Sequence, residues 1–243
     1  MTFPNAQAKK QQKYVLNDVS PFAVKENYNI LRANIVSALP SDECKLIGVT
    51  SPSRAEGKSI NCLNLAISFA KAGSKVLLMD FDLRIPNINR LLGLPLGPGM
   101  SDILAGEPHS NKNLFKSIGT DNLHIITSGN IPKNPSALLE SPKMTTLFEI
   151  LVQQYDYIFV DMPPVNVVAD AVVLSKHMSG VVLVVRHNQT KNNDVKQAVD
   201  QLKFANVNIL GVLLNDVKDR KEKYVEYQYT MSRDKKAGTY EKR

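Results

Sequence analysis

The sequence predicts an α/β domain of three layers, a largely parallel central sheet with helices on both faces. Three observations carry this. Lys45 to Thr50, Lys75 to Met79, Tyr157 to Val160, Val181 to Val185 and Ile209 to Leu214 read as continuous apolar runs, not as alternating apolar and polar residues. A strand reads that way when both its faces are covered, the usual condition of parallel sheets. Between the runs stand segments with apolar residues at helical spacing, and such alternation marks βαβ construction. Finally, the first run leads through a short loop into a helix at Gly57-Lys58-Ser59.

The chain has 243 residues, a length that suits one domain with a sizeable core. No apolar run reaches the roughly 18 residues a membrane span needs. Met1-Thr2-Phe3-Pro4-Asn5 lacks the basic-then-apolar pattern of a secretory signal. Cys44 and Cys62 are the two cysteines, read as reduced thiols in a cytosolic protein. The net charge of +7 lies largely in the ends of the chain: residues 216–243 carry nine Lys/Arg against six Asp/Glu. No basic stripe with interleaved aromatics crosses the middle, so nucleic acid is not an expected partner.

In order, residues 1–19 are polar and read as a flexible N-terminal arm. A helix follows from Pro21 to Leu39, with Ser20 as N-cap and Tyr28, Leu31, Ile35 and Leu39 at helical spacing. Glu26, Asn29 and Arg32 share one polar side of it, which taken alone reads as a solvated face. Leu63, Ala66, Ile67 and Ala70 give the next helix its apolar face, with Gly73 as C-cap. The stretch from Leu91 to Asn134 is the least regular, with a short helix at Met100 to Ala105 and a strand at Leu123 to Thr127. Pro135 to Gln154 holds helix broken at Pro142, and Asn192 to Phe204 is a further helix. The domain therefore spans 20–217, and 218–243 is a flexible, tyrosine-containing tail.

Chemistry enters at the strand ends. A strand turning into a helix through Gly-Lys-Ser is the skeleton of a phosphate-binding loop, because unpaired amides at a helix N-terminus attract anions. The general pattern has a second glycine six residues before the lysine, where this chain has Pro52. Lys58 would reach the terminal phosphates of a nucleotide and the Ser59 hydroxyl would ligate Mg²⁺. The second run ends in Asp80-Phe81-Asp82-Leu83-Arg84, which taken alone reads first as a helix cap and a solvated aspartate. The third ends in Asp161-Met162-Pro163-Pro164. Three such motifs at strand ends, in this order, supply a phosphate cradle and oxygen ligands for a hard cation: Ser59, Asp82 and Asp161.

With these motifs the chain resembles the bacterial tyrosine kinases (BY-kinases) of capsular and exopolysaccharide synthesis. Their hallmarks are a Walker A loop, a Walker A′ motif of apolar residues then Asp-x-Asp-x-Arg, and a Walker B motif ending Asp-x-x-Pro. They match Glu56-Gly57-Lys58-Ser59, Leu77 to Arg84 and Ile158 to Pro164, within a likeness running from Ser20 to the C-terminus. The resemblance implies a P-loop NTPase fold of the deviant Walker A (MinD/ParA-like) type. It implies ATP and Mg²⁺ as cofactors, held by Glu56, Gly57, Lys58, Ser59 and Ile60, with Arg186 and Asn215 near the adenine. Asn215 reads equally as a strand-ending turn residue. Catalysis falls to Lys58, Asp80 and Asp82, with Asp80 as candidate base.

The family's Glu-x-x-Arg-x-x-Arg, which builds a ring-shaped oligomer, is matched by Glu26 and Arg32 but has Asn29 in place of the first arginine. Arg54 and Ala55 replace the Pro-Gly usual in the loop. Tyr224, Tyr227, Tyr229 and Tyr240, half of the eight tyrosines, lie in the last twenty residues and suit phosphoacceptors. The implied protein is a cytoplasmic protein-tyrosine kinase that autophosphorylates its tail in trans. It is recruited to the inner face of the plasma membrane by a transmembrane polysaccharide co-polymerase and opposed by a cognate phosphotyrosine phosphatase. The alternative is a partition or division-type ATPase, a nucleotide-switched positioning protein; it would favour a lysine five residues before Lys58, where Ser53 stands. A nucleotide-binding scaffold without enzymatic activity is the third reading.

Overall fold

Both faces of the sheet are covered, and the apolar runs record it. The computed structural model describes residues 12–39, 45–107, 114–119 and 121–217. Its strands are β1 (Lys45–Thr50), β2 (Val76–Asp80), β3 (Lys116–Ser117), β4 (Leu123–Ile126), β5 (Tyr157–Asp161), β6 (Gly180–Arg186) and β7 (Ile209–Asn215). They form one sheet in the order β3-β4-β2-β5-β1-β6-β7. Every pairing is parallel except β3 with β4. Successive residues point to opposite faces, so β2 sends Val76 and Leu78 into one apolar cluster and Leu77 and Met79 into the other.

On one face lie α1 (Phe22–Ala38), α2 (Lys58–Lys71) and α3 (Ile88–Leu92). On the other lie α4 (Met100–Ala105), α5 (Pro135–Leu139), α6 (Pro142–Val152), α7 (Asp170–Ser175) and α8 (Asn192–Phe204). Helix α2 is buried almost throughout because it packs under α1 and over the sheet, with Phe69 edge-on to Tyr157 and Phe159. Pro135 and Pro142 both sit in first turns, where a missing N–H is harmless, and so split the 135–154 stretch into two helices.

Three expectations change. Residues 12–19, read as part of a free arm, are tied down: Leu16 is buried and its N–H donates to Asn64 Oδ1 at 2.8 Å. Ser20 does not cap α1; Pro21 occupies that position, and the Ser20 hydroxyl accepts the Asn17 N–H instead. Strand β7 is an edge strand with Val212 and Leu214 about half exposed, not a buried run. The strand β3 and helices α3 and α7 are too short to leave a periodic signal. The four tail tyrosines lie outside the described residues.

Candidate active site

Strands β2, β5 and β1 are consecutive in the sheet, so their C-terminal ends open side by side. Asp80 and Asp161 are register partners across β2 and β5, and Val49, one residue before the end of β1, is the other register partner of Asp161. The loop leaving β1 carries Lys58 back over this edge. Its ammonium lies 2.9 Å from Asp82 Oδ2, 3.4 Å from Asp161 Oδ1 and 3.2 Å from Ser59 Oγ. Four groups named from the sequence therefore converge, and Asp80 stands directly beside them.

The electrostatics follow from burial. Burial favours a neutral Lys58, but the carboxylates of Asp161, Asp82 and Asp80 outweigh it and hold the ammonium's proton more tightly than usual. Asp161 is fully buried and lies above the ordinary carboxylate range chiefly because of that burial, opposed by Lys58 and the Ser59 hydroxyl. Asp80 is pushed up to about 8 by burial and by the nearby Asp161 charge. It is also tightly engaged: Oδ1 accepts the Asp82 N–H at 3.1 Å, and Oδ2 accepts the N–H groups of Asn87 and Ile88. Those last bonds anchor the start of α3, whose N-cap is Asn87. The reading of a helix cap and a solvated aspartate gives way, since Asp80 and Asp82 are both buried.

The loop itself is held from β6 and β7. Ala55 and Gly57 both have left-handed backbones, at φ 61° and 93°. A Cβ on Gly57 would collide with the Asn215 side chain, which is why glycine stands there. Asn215 Nδ2 donates to the Glu56 carbonyl at 2.9 Å, and Arg186 Nη1 to the Ala55 carbonyl at 3.2 Å. The Glu56 carboxylate turns inward, accepting from Thr190 Oγ1 at 2.6 Å and from the Ser53 N–H at 3.0 Å. Ile60, half-buried in the first turn of α2, lines the cleft over the loop. Thr190 was not foreseen, since a threonine in a loop carries no sequence signal of its own.

Arg84 completes the Asp-x-Asp-x-Arg motif with a forked pair to the buried Asp170, at 2.7 and 3.0 Å, and a bond to Ser136 at 2.9 Å. The loop after β2 is thereby pinned to α5 and α7. The surrounding cleft, about 2030 Å³, extends from Arg186 and Val217 past Lys58 to Arg90 and Pro95. Drug-sized pockets run to about 1,000 Å³, so there is room for a second ligand beside one nucleotide. On α1, Asn29 Nδ2 donates to Glu26 Oε2 at 3.2 Å, while the buried Nε of Arg32 has no partner.

A family model described as ParA, NUBPL iron-transfer P-loop NTPase, matches residues 44–238. Tyrosine-protein kinase CpsD of Streptococcus pneumoniae is 34% identical over 203 residues, 82% of this chain and 87% of that protein. Tyrosine-protein kinase YwqD of Bacillus subtilis is 33% identical over 226 residues, 93% of this chain and 94% of the relative. The chain belongs to the bacterial tyrosine kinase family. Among solved bacterial tyrosine kinases, the kinase domain of Escherichia coli ETK superimposes with a TM-score of 0.77 at 32% identity, covering 81% of this chain and 77% of that one. The cell division ATPase MinD of Pyrococcus furiosus shares the fold at a TM-score of 0.60 and 24% identity, covering 72% of this chain and 74% of that one.

Membership of a P-loop kinase family implies a nucleotide held together with a divalent metal. The residues fit. Asp161 Oδ2 is a buried carboxylate oxygen without a hydrogen-bond partner, a costly arrangement unless a cation takes it. Among the described residues no three His, Cys, Asp or Glu side chains form a ready-made cage. Mg²⁺ takes one or two carboxylates and fills its shell with water and phosphate, and Asp82, Asp161 and the Ser59 hydroxyl are oxygen donors of that kind. Iron transfer finds no support in Cys62, which is fully buried with its thiol pushed well up by that burial.

Proposed function

We propose that this protein is an ATP·Mg²⁺-dependent protein-tyrosine kinase that phosphorylates its own tail tyrosines between protomers and thereby regulates capsular or exopolysaccharide synthesis and export. The observation that carries it is the convergence of Lys58, Ser59, Asp82 and Asp161 at three adjacent strand ends, with Asp80 beside them, in a chain whose relatives are named tyrosine-protein kinases. No helix among the described residues is long and apolar enough to cross a membrane. A transmembrane co-polymerase subunit that brings the kinase to the cytoplasmic face fits that, and a cognate phosphatase would reverse the reaction.

Bound ATP would supply the γ-phosphoryl group, with Mg²⁺ neutralising its oxygens. Lys58 and the loop amides bind the phosphates; Ser59, Asp82 and Asp161 hold the metal. Arg186 and Asn215 keep the loop in its left-handed shape on the side where the base would lie. Asp80 accepts the proton of the incoming tyrosine. A carboxylate whose proton affinity lies near neutrality is a better acceptor than an ordinary aspartate, provided it is ionised and turns from the α3 amides. Arg84 keeps Asp82 in place through Asp170. Tyr224, Tyr227, Tyr229 and Tyr240 are the acceptors. The domain is 20–217, with residues 12–19 packed onto it, and ring assembly runs through Glu26 and Arg32.

The division-ATPase reading draws on the ParA-type family model and on a MinD fold shared at 24% identity, against relatives of 33–34% identity named tyrosine-protein kinases. Ser53 stands where its second lysine would be. The test is phosphotyrosine labelling of purified protein with ATP·Mg²⁺ and the co-polymerase's cytosolic tail. Wild type should be labelled; Asp80→Ala and a chain lacking 224–243 should not. Absence of tyrosine label in wild type under conditions where nucleotide binds would end the kinase reading.

A further inference from the structure

One hydrogen-bonded chain leads from the phosphate loop through α2 to α1, the helix packed on its outer side. Asn61 Nδ2 donates to the Gly57 carbonyl at 2.9 Å, an oxygen that also accepts the Asn61 backbone N–H at 3.1 Å. Asn61 Oδ1 accepts the Tyr28 hydroxyl at 2.8 Å. That hydroxyl in turn accepts from Asn64 Nδ2 at 3.0 Å. Asn64 also grips the segment before α1, donating to the Tyr14 carbonyl at 2.9 Å and accepting the Leu16 N–H at 2.8 Å. Asparagine weakens a helix interior, so two of them one turn apart in α2 call for a reason. This network supplies it.

The Gly57 carbonyl and the Lys58 N–H belong to one planar peptide and point in opposite directions. Whatever aims the carbonyl therefore aims the N–H, one of the unpaired donors of the first helical turn. Gly57 is the residue least able to hold that plane by itself, because its backbone is the freest. On its other flank Asn215 holds the neighbouring Glu56 carbonyl. On this flank the hold is Asn61, and the orientation of Asn61 is set by Tyr28. Burial raises the Tyr28 phenol above its ordinary value, so the hydroxyl stays protonated and donates.

We propose that Tyr28 is a positioning residue for the nucleotide site: through Asn61 it fixes the peptide between Gly57 and Lys58 and so aims the loop N–H at the phosphates. The inference rests on the loop being a nucleotide site, as argued above. It makes Tyr28, alone of the α1 side chains, part of the binding apparatus, although it supplies no group that touches the reacting atoms.

The test uses the full-length chain and two readouts, calorimetric binding of Mg·ADP and steady-state kinetics with ATP. Tyr28→Phe keeps the ring and removes one donor. It should weaken Mg·ADP binding and raise KM for ATP by roughly two- to tenfold, with kcat nearly unchanged. Asn61→Ala should weaken binding at least as much, and the double variant no more than Asn61→Ala alone, because the two act along one path. Ile35→Val, a comparable loss of packing in the same helix, should lower Tm and leave affinity unchanged. Wild-type affinity in Tyr28→Phe, or a double variant whose losses add, overturns the proposal. An equal affinity loss in Ile35→Val also overturns it, since any weakening of α1 would then suffice. Failure of wild type to bind Mg·ADP removes the nucleotide-site reading itself, and is seen before any variant is compared.

Discussion

Lys58→Met should change stability and labelling in separable ways. In the resting fold the Lys58 ammonium bridges Asp82 at 2.9 Å and Asp161 at 3.4 Å, both carboxylates almost wholly buried. Removing one partner of a buried pair costs about 3–5 kcal/mol when the remaining charge stays ionised. Proton uptake limits that cost. Asp161 already stands above its ordinary value through burial, and without the cation it holds a proton to higher pH still. A carboxyl whose folded-state value is raised binds more protons folded than unfolded, so stability falls as pH rises between the unfolded and folded values. Lys58→Met should therefore fall progressively below wild type as pH rises above the ordinary carboxylate range, by up to about 1.4 kcal/mol per pH unit. For a chain of this size each kcal/mol moves Tm by about 2–4 °C, so thermal scans without nucleotide or metal resolve the trend. A gap that does not change with pH would refute Lys58 as the counter-charge of this cluster. Tyrosine labelling at the wild-type rate would refute its role in phosphoryl transfer.

Gly57→Ala must adopt φ near 93° and place a Cβ against Asn215, where left-handed backbone alone costs about 1–2 kcal/mol. Mg·ADP affinity should fall about tenfold or more by calorimetry; adding Asn215→Ala should relieve the clash but leave the backbone penalty, so the double variant stays below wild type. Asp80→Asn cannot titrate. Wild-type Asp80, pushed up to about 8, loses up to about 1.4 kcal/mol of stability per pH unit from the ordinary carboxylate range up to about pH 8 and little beyond, so the variant's deficit in Tm should shrink as pH rises toward 8 and then level off. Asn29→Arg restores the missing arginine on α1 beside Glu26 and the unpartnered Arg32 Nε, and should shift mass toward larger assemblies in light scattering.

Legibility followed the range of each interaction. The strands were readable because β1, β2, β5 and β6 are apolar on both faces, a pattern that only a covered parallel sheet imposes. Lys58, Asp80, Asp82 and Asp161 were readable because strand ends in a parallel sheet all open on one edge, so placing a residue at such an end nearly places it in space. What escaped depends on long-range partners with no local period. Asp170 is buried beneath Arg84, yet in sequence it is one aspartate in an irregular stretch. The Thr190–Glu56 bond joins residues 134 positions apart. The order of residues 12–19 comes from Asn64, which the helical pattern of α2 marks only as a weak helix former.

Arg186 and Asn215 act on backbone. The family resemblance implied a place for both near an adenine, with a strand-ending turn role for Asn215 equally open; in the structure both hold the phosphate loop, at the Ala55 and Glu56 carbonyls. Ala55 stands in place of a glycine usual in the family and lies at φ 61°, a conformation that persists only when its surroundings over-determine it. They do: Arg186 grips its carbonyl, Thr190 the Glu56 carboxylate next to it, Asn215 the Glu56 carbonyl, and Asn61 grips Gly57 from the far side. Each grip originates on a different element, β6, the turn after it, β7 and α2. The ends of β6 and β7 therefore cannot shift without moving the loop. A base bound against β7 and phosphates bound on the loop are then coupled through Asn215 and Arg186, and loss of either side chain should loosen phosphate binding even in a ligand that lacks the base, such as inorganic tripolyphosphate.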